Sequence, residues 1–289
     1  MGPLWYIGLG AGVVVTLLAV YAFVIEPRRL RLEELAIPVP NLPPAFDGLR
    51  IAHLTDLHVG ALRLSHRLTS KAVELAIGAQ PDIVVLTGDL VDRDPHARRA
   101  VELLQPLDAP LGVWAVLGNH DYNWTAWARA RQLPVEALSD ECWANLLDEA
   151  GVTLLANESV AIERNGERLW LAGCGDPYCY RDDLDRTLRE VRDGELCVLL
   201  CHSPDIVDHP LASRPALILC GHTHGGQVRL PLIGPIYAPC RDVRERARGL
   251  TRIAGVPVYS NRGVGGSKVP RFHCHPEVAL ITLRRAPEE

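Results

Sequence analysis

The sequence predicts an α/β fold in which parallel strands are covered by helices on the outside. From residue 49 onward, short apolar runs alternate with amphipathic stretches, which is the order that builds a parallel sheet. The apolar runs are rich in leucine and β-branched residues, as expected for strands buried on both faces. With 289 residues and 48% hydrophobic content, the chain is long enough to bury one large core.

Each element is predicted from its local pattern. Helical periodicity that begins at Ser65 and stops at Gly78 predicts a helix over residues 65–79. Similar patterns predict further helices over residues 95–104, 139–150 and 182–193. Apolar runs predict strands over residues 50–54, 83–86, 113–117, 197–200, 217–220, 256–260 and 278–283. Short antiparallel strands, with a hairpin turn at Asn165-Gly166, are expected over residues 152–155, 160–162 and 168–172.

An uncharged apolar run, residues 4–25, opens the chain and is about as long as a bilayer-spanning helix. Trp5 and Tyr21 lie near its two ends, where interfacial aromatic residues are typical. A cleaved signal peptide is disfavoured because no lysine or arginine precedes the run and its end lacks an Ala-x-Ala site. A buried core helix is the remaining alternative. We therefore expect a transmembrane anchor over residues 1–25.

Two further segments follow the anchor. Residues 26–47 contain five prolines and are expected to form an extended linker. Residues 48–289 are expected to form the domain that carries the polar motifs. Arg28, Arg29 and Arg31 directly follow the anchor, so the positive-inside rule places this domain in the cytoplasm.

Five polar motifs follow strand-like runs, where the ends of buried strands would deliver them to one rim of a sheet. They are Asp56-Leu57-His58, Gly88-Asp89-Leu90-Val91-Asp92, Gly118-Asn119-His120-Asp121, Cys201-His202 and Gly221-His222-Thr223-His224. Asp56 and His58 are two residues apart, as are His222 and His224, so in an extended segment each pair projects to one side. Asp89 has two oxygens and could bridge two ions.

The donor atoms in these motifs are carboxylate and amide oxygens and imidazole nitrogens. That mixture favours borderline divalent metals such as Mn, Fe, Zn or Co, whereas sites built from oxygen alone favour Mg and Ca. Any single histidine is more often a core or surface residue, but the joint pattern argues for a metal site. The histidines outside the motifs are expected to be structural: His53, His66, His96, His209, His273 and His275.

The order D-x-H, G-D-x-x-D, G-N-H-D, H, G-H-T-H resembles the calcineurin-like metallophosphoesterases from about residue 50 to about residue 283. The resemblance implies a four-layer α/β/β/α sandwich of two mixed sheets, and two divalent metal ions. One ion would be held by Asp56, His58, Asp89 and His224, and the other by Asp89, Asn119, His202 and His222. His120 would be the non-ligating acid, and Asp92, or alternatively Asp121, would orient its ring.

The resemblance further implies hydrolysis of a phosphoester or phosphoanhydride. Residues 225–231 and 261–265 are similar to a membrane-associated bacterial branch of the family, which includes UDP-diacylglucosamine hydrolases of lipid A synthesis. With the anchor, this suggests a single-pass protein of the bacterial inner membrane that acts on a lipid pyrophosphate. A broad-specificity phosphodiesterase is the main alternative. An inactive scaffold on the same fold would be expected to lack a ligand or His120, and none is missing.

Charge and composition bound the possible partners. A net charge of −5 and a pI near 6.1 argue against a nucleic-acid binder. Two basic stretches, 241–252 and 262–271, could hold a substrate phosphate or an anionic membrane, or form a solvated face. The apolar residues 230–239 are expected to form a hairpin packed on the core, with contact to acyl chains as the alternative.

Cysteine usage gives a weaker signal. The eight cysteines, including Cys174 and Cys179, are expected to be free thiols, since a disulfide or a third metal site lacks partners of regular spacing. Nothing in the sequence indicates an oligomeric state.

Overall fold

A computed structural model describes residues 3–125, 136–266 and 270–286. This part of the chain forms six α-helices and fourteen strands. The helices are α1 Pro3–Val20, α2 Arg63–Gly78, α3 Ala97–Leu104, α4 Asp140–Asp148, α5 Leu184–Thr187 and α6 Val243–Arg246. The strands are β1 Arg31–Val39, β2 Arg50–Leu54, β3 Ile83–Thr87, β4 Val113–Val116, β5 Val152–Leu154, β6 Glu158–Arg164, β7 Glu167–Gly173, β8 Cys197–Leu200, β9 Leu217–Cys220, β10 Arg229–Leu230, β11 Gly234–Pro235, β12 Gly249–Ile253, β13 Val256–Ser260 and β14 Glu277–Arg285.

The first sheet has six strands in the order β1-β14-β2-β3-β4-β5. Strands β2 to β5 are parallel, β14 runs antiparallel to β2, and β1 runs parallel to β14. Side chains alternate across this sheet: Ile51 and Ile83 enter the core between the sheets, while Ala52 and Val84 enter the core under the helices. Helices α2, α3 and α4 cover that outer face.

The second sheet also has six strands, in the order β12-β13-β9-β8-β7-β6. Its four central strands are parallel, and the two edge strands are antiparallel to their neighbours. Leu169, Val198 and Leu217 on its inner face pack into the core shared with the first sheet. Leu184 of α5 and Ile206 of a 3₁₀ turn cover its outer face. The two mixed sheets within four layers confirm the predicted fold class.

Two predicted elements differ from the structure. The antiparallel strand predicted over residues 152–155 is wrong, because β5 pairs in parallel with β4 and α4 supplies the crossover that a parallel pair needs. The helix predicted over residues 182–193 is only the single turn of α5. It ends at Thr187, whose hydroxyl bonds the Asp183 carbonyl at 2.7 Å. The predicted hairpin at Asn165-Gly166 is confirmed, since it joins β6 to β7.

The proline-rich segment 26–47, expected to be a linker, contributes a strand to the first sheet. Within it β1 pairs in parallel with β14 along nine residues, from Arg31 opposite Glu277 to Val39 opposite Arg285. β1 accommodates Pro38 because it lies at the edge of the sheet, where one side of the backbone needs no partner. Nine of its twenty-two residues are therefore fixed to the first sheet.

Helix α1 continues through one π-helical turn, Tyr21–Ile25, and one 3₁₀ turn, Glu26–Arg28. Among the described residues, one helical stretch, Leu9–Arg28, is long and apolar enough to cross a membrane, with a mean hydropathy of 2.2. Only 11% of this stretch is buried, which disfavours the alternative of a core helix. Length and composition thus support the predicted anchor.

The end of this helix is bonded to the body. The Glu26 side chain is buried, and its carboxylate accepts the backbone N–H groups of His273, at 3.0 Å, and Cys274. The Ala22 carbonyl accepts the backbone N–H of Arg271 at 3.0 Å. Breaking these bonds would leave a buried carboxylate without donors, which is costly. The helix end and residues 271–274 are therefore held together.

Strands β10 and β11 form a two-stranded hairpin separate from both sheets. The prediction of a hairpin within residues 230–239 is confirmed, but the prediction that it packs on the core is wrong. Its tip residues Leu232 and Ile233 are exposed and do not enter the core.

Candidate metal centre

The five polar motifs meet at one edge of the two sheets. Asp56 follows β2, Asp89 follows β3 and Asn119 follows β4, so the first sheet delivers three oxygen donors. His202 follows β8 and His222 follows β9, so the second sheet delivers imidazoles from the opposite side. All five side chains are buried. The carboxyl ends of parallel strands therefore converge here as the sequence predicts.

A first group of donor atoms lies between Asp56, His58 and His224, which are close enough to share one cation. The His224 Nε2 atom is 3.4 Å from Asp56 Oδ1 and 3.2 Å from His58 Nε2. His58 Nε2 is 3.8 Å from Asp56 Oδ1. Ligands about 2.1 Å from a metal lie roughly 3.0 to 3.4 Å from one another in octahedral or tetrahedral sites, so this spacing suits a single ion.

A second group lies between Asp89, His202 and His222. His202 Nε2 is 3.3 Å from Asp89 Oδ2 and 3.2 Å from His222 Nδ1. Asp89 Oδ2 is also 3.5 Å from His58 Nε2 of the first group. Asp89 therefore faces both groups, which is the position that a bridging carboxylate requires.

The backbone at these residues is not extended, contrary to the prediction that residues two apart project to one side of an extended segment. The residues with positive φ are Asp56, at 51°, His58, at 45°, Asp89, at 52°, His222, at 67°, and His224, at 48°. Each such conformation costs about 1 to 3 kcal/mol for a residue with a Cβ. Backbone bonds hold two of them, from Asp56 N to the Gly88 carbonyl and from His58 N to the Asp89 carbonyl, both 3.0 Å.

Several donor atoms are left without a protein partner, which tests whether a cation fits. Among the described residues, none forms a hydrogen bond with Asp56 Oδ1 or Asn119 Oδ1, although both atoms are buried. The Asn119 amide nitrogen donates to the Trp124 carbonyl at 2.9 Å, which fixes the orientation of the free oxygen. Buried unpaired acceptors are costly in an empty protein, whereas a divalent cation would satisfy them.

Burial and charge set the protonation of the site. Burial lowers the pKa of His58 and of His222 to about 3, so both rings are neutral and offer lone pairs. Burial also raises the pKa of Asp56 to about 7 in the protein alone. Burial opposes charge on His202 as well, but the Asp89 carboxylate outweighs it and raises the pKa of His202 well above 6.5. A cation bound beside Asp89 would displace the His202 proton, which would leave neutral imidazoles and carboxylates, the donor set expected for Mn, Fe, Zn or Co.

His120 is positioned differently from the predicted ligands. Its side chain is 23% exposed and lines the pocket. The candidate ligands are buried except for His224, whose side chain is 12% exposed. Its Nδ1 lies 3.2 Å from the Asp92 carbonyl and 3.7 Å from Asp92 Oδ1. Asp121, the alternative orienting residue, instead accepts the backbone N–H groups of Gly118 and Val91, so it supports the loop and not the ring. His120 also lies close enough to His58 and Asp89 to share a cation with them.

Some residues of the site were not singled out by the sequence. Thr55 donates its hydroxyl to Asp56 Oδ2 at 3.0 Å and thereby fixes the carboxylate. The Tyr178 ring packs on the His222 ring with centroids 4.5 Å apart and lines the pocket. A Cβ on Gly118 would collide with the Asp89 carboxylate, and one on Gly221 would collide with Thr55. The glycines of the motifs were a usable signal for this crowding, while Tyr178 carried none.

The basic stretches have mostly structural roles. Arg246 pairs with Asp205 and Asp208 at 2.8 and 2.7 Å. Arg262 pairs with Glu277 and Glu33.

The buried Arg271 guanidinium donates to the carbonyls of Arg262, Gly263, Gly265 and Cys274. It thereby links residues 262–265 to residue 274. Arg244 and Arg248 remain exposed on the surface. All eight cysteines lie in the described part of the chain and are free thiols, as expected.

A pocket of about 440 Å³ opens directly above the clustered donor atoms. Its floor includes Asp89, Asn119 and His120. Its opposite wall includes Ile236 and Tyr237 of the segment that follows β11. The site thus combines a polar floor with an apolar wall.

A fold of two mixed sheets, with clustered carboxylate, amide and imidazole donors at one edge, defines a metal-dependent hydrolase. Residues 49–226 match the calcineurin-like phosphoesterase family, and the chain belongs to this family. Its members use two divalent metal ions, and the chain is accordingly a phosphoric-ester or anhydride hydrolase.

Three relatives illustrate the similarity. The chain is 30% identical to metallophosphoesterase YkuE of Bacillus subtilis, over 91% of this chain and 89% of the relative. It is 32% identical to phosphodiesterase YaeI of Escherichia coli, over 81% of this chain and 82% of the relative. It is 28% identical to UDP-2,3-diacylglucosamine pyrophosphatase LpxG of Chlamydia trachomatis, over 91% of this chain and 92% of the relative.

The position of Asp89 between both groups generates a prediction about metal binding. In the native protein the backbone N–H of His120 donates to Asp89 Oδ1 at 2.8 Å. Asp89→Asn keeps an acceptor for this bond but removes the negative charge that the two groups share. We expect metal analysis of the purified variant to show a loss at both sites, because two cations would face each other without an anion between them. The exposed Asp108→Asn variant is the control and should keep both ions. Two full equivalents of metal in Asp89→Asn, with unchanged activity, would contradict the bridging role.

Proposed function

We propose that this chain is a membrane-anchored phosphohydrolase that cleaves a phosphodiester or pyrophosphate bond of a lipid-linked substrate, such as the lipid nucleotide UDP-diacylglucosamine. The observation that carries this proposal is the apolar wall beside the metal-ligand candidates, formed by Val228, Ile236, Tyr237 and Pro239. A phosphate needs polar surroundings, so an apolar wall suits another part of the substrate.

Similarity to named relatives supports both this proposal and its main alternative. LpxG carries the name of a UDP-2,3-diacylglucosamine pyrophosphatase and matches along nearly the whole chain at 28% identity. YaeI carries the name of a phosphodiesterase at 32% identity, which supports a broad-specificity phosphodiesterase with a non-lipid substrate. The apolar wall and the apolar helix favour the lipid substrate. An inactive scaffold is disfavoured because every motif position that the family requires is filled.

Two metal sites are assigned as part of this proposal. The first would be formed by Asp56, His58, Asp89 and His224, and the second by Asp89, Asn119, His202 and His222. The distances of 3.2 to 3.8 Å among these donors and the unpaired Asn119 oxygen support the assignment. The mixed donors suit Mn, Fe, Zn or Co. When bound, two such ions would neutralise phosphoryl oxygens and lower the pKa of a water placed to attack phosphorus.

His120 is assigned as the general acid for the leaving oxygen. The Asp92 carbonyl can only accept a hydrogen bond, so His120 Nδ1 carries a proton and Nε2 is the atom that transfers one. The Asp92 carboxylate lies 3.7 Å from the same Nδ1 atom, so both polar groups of Asp92 face this side of the ring. Partial exposure toward the pocket lets His120 reach a substrate atom, which is the property that separates it from the buried ligand candidates.

The proposed location is the bacterial inner membrane, with one span and the hydrolase domain in the cytoplasm. Arg28, Arg29 and Arg31 are exposed just after the apolar helix, which supports this orientation.

A reporter that fluoresces only in the cytoplasm tests the orientation. Fused after Glu289, it should be bright in cells, because the arginines after the span keep the domain that follows them in the cytoplasm. An alkaline phosphatase fused at the same position is the matched control and should be inactive. A dark fluorescent fusion with an active phosphatase fusion would place the domain on the other side.

A variant at the proposed acid tests the mechanism. His120→Asn should slow hydrolysis by about a hundredfold or more for substrates with poor leaving groups, because no proton reaches the leaving oxygen. The defect should shrink for aryl leaving groups of low pKa, as measured by kcat across a leaving-group series. His66→Asn, on helix α2 away from the site, serves as the control. An equal loss for all leaving groups would remove His120 from the acid role.

A substrate comparison tests the proposed function itself. Full-length protein in detergent should hydrolyse UDP-diacylglucosamine with a higher kcat/KM than a generic aryl phosphodiester. Ile236→Asp should raise KM for the lipid nucleotide and affect the aryl diester little, because a charge on the wall repels acyl chains. Leu250→Asp, an exposed position on β12, is the matched control. If only the aryl diester is hydrolysed, the broad-specificity phosphodiesterase replaces the lipid proposal.

A further inference from the structure

The hairpin of β10 and β11 and the two residues after it expose four large apolar side chains. Leu232 is fully exposed, and the side chains of Ile233, Ile236 and Tyr237 are 62% to 68% exposed. Elsewhere on the described part of the body, large exposed apolar residues occur singly along the sequence, such as Ile77. Single exposed apolar side chains are ordinary, whereas four within six consecutive residues mark an interaction surface.

The base of this hairpin is bonded to the segment that holds the end of the apolar helix. Arg229 N donates to the Phe272 carbonyl and Phe272 N donates to the Gln227 carbonyl, both at 2.9 Å. The Phe272 ring meets the Tyr21 ring edge-on with centroids 6.1 Å apart. Arg271, the residue before Phe272, donates its backbone N–H to the Ala22 carbonyl. The hairpin and the helix end are therefore neighbours across one short segment.

The hairpin tip is within reach of a bilayer that the helix would cross. Val228 pairs with Phe272, and Leu232 follows four residues later, so at about 3.3 Å per residue the tip lies at most about 13 Å from that pair. Tyr21 is near the end of the apolar stretch, where an interfacial aromatic residue is typical. The headgroup layer is only roughly 5 to 8 Å thick on each side, so a tip at this distance can enter it.

A lipid surface fits this hairpin better than a protein partner does. The exposed side chains of Phe23, Val24 and Ile25 at the helix end are also apolar, so a bilayer would cover both surfaces together. The exposed Arg28 and Arg29 beside them suit anionic headgroups. A stable protein interface needs about 800 Å² from each partner, whereas shallow insertion into a bilayer needs only a few apolar side chains.

We propose that the β10–β11 hairpin is a second membrane contact, which inserts Leu232 and Ile233 into the bilayer beside the anchor helix. The hairpin continues into Ile236 and Tyr237, which wall the pocket, so this contact places the pocket entrance at the lipid surface. The contact depends on the anchor helix and the hairpin but not on the identity of the substrate.

Photo-crosslinking to lipid tests the contact in the full-length protein. A benzophenone amino acid replaces Leu232, Ile233, Val14 of α1 or Ile77 in separate preparations, reconstituted in vesicles of phosphatidylethanolamine and phosphatidylglycerol. Val14 is the positive control within the apolar helix. Ile77 is a matched exposed apolar control at the carboxyl end of α2, opposite the edge that carries the metal-ligand candidates. Mass spectrometry measures lipid adducts after irradiation, and an unchanged thermal unfolding midpoint shows that each protein is folded.

We expect lipid adducts at Leu232 and Ile233 in yields close to that at Val14 and at least about tenfold above that at Ile77, as for side chains buried at the acyl boundary. If Val14 forms lipid adducts and either Leu232 or Ile233 forms none, the second contact is overturned. Equal yields at Leu232 and Ile77, or crosslinks from Leu232 only to protein, would overturn it as well. No lipid adduct at any position would overturn the anchor together with the hairpin. None of these readouts depends on hydrolysis, so they are independent of the proposed substrate.

Discussion

The Asp89 carboxylate is the constraint on which the arrangement of the site depends. Oδ1 accepts the backbone N–H of His120 at 2.8 Å. Oδ2 lies 3.3 Å from His202 Nε2 and 3.5 Å from His58 Nε2. It thereby connects loops that come from different strands and from both sheets. Burial of one carboxylate is costly unless charged or donor groups surround it, and the surrounding loops can only supply them if the sheets keep their spacing. The shared apolar core between the sheets fixes that spacing, as the packing of Ile83 against the inner face shows.

The predictable part of the fold consists of strands buried on both faces. Runs such as Ile83–Thr87 and Leu217–Cys220 are wholly apolar or β-branched, so burial and strand formation give the same signal. Strand β1 was not predictable in this way. It is an edge strand with charged residues in its first half and only Ile37 and Val39 buried, on either side of the exposed Pro38. Its partner β14 is more than two hundred residues away in sequence. Long-range pairing of this kind leaves little trace in a local pattern.

Residue types in the motifs indicated the donors of the site, but not the backbone that presents them. The left-handed conformations of Asp56 and His58 depend on bonds to residues 88 and 89, which a local pattern does not contain. The basic stretches show the same limit. Arg262 was available to bind phosphate by composition, yet Glu33 and Glu277 pair with it from distant strands. Glycines at 118 and 221 were more informative than they looked, because only a missing Cβ lets the loops approach this closely.

The buried Glu26 carboxylate has a consequence for the whole molecule at a surface. A flexible stalk would allow the hydrolase body to tilt and to move away from a bilayer. Phosphates at many distances from the bilayer surface could then enter the site. The bonds from Glu26 to His273 and Cys274 instead make the helix end continuous with the body. Because Cys274 Sγ also bonds the His224 carbonyl at 3.2 Å, the clearance between the helix end and the donor cluster is fixed. For the lipid-linked substrate proposed above, selection among head groups would then depend on how far each one holds its phosphate from the lipid.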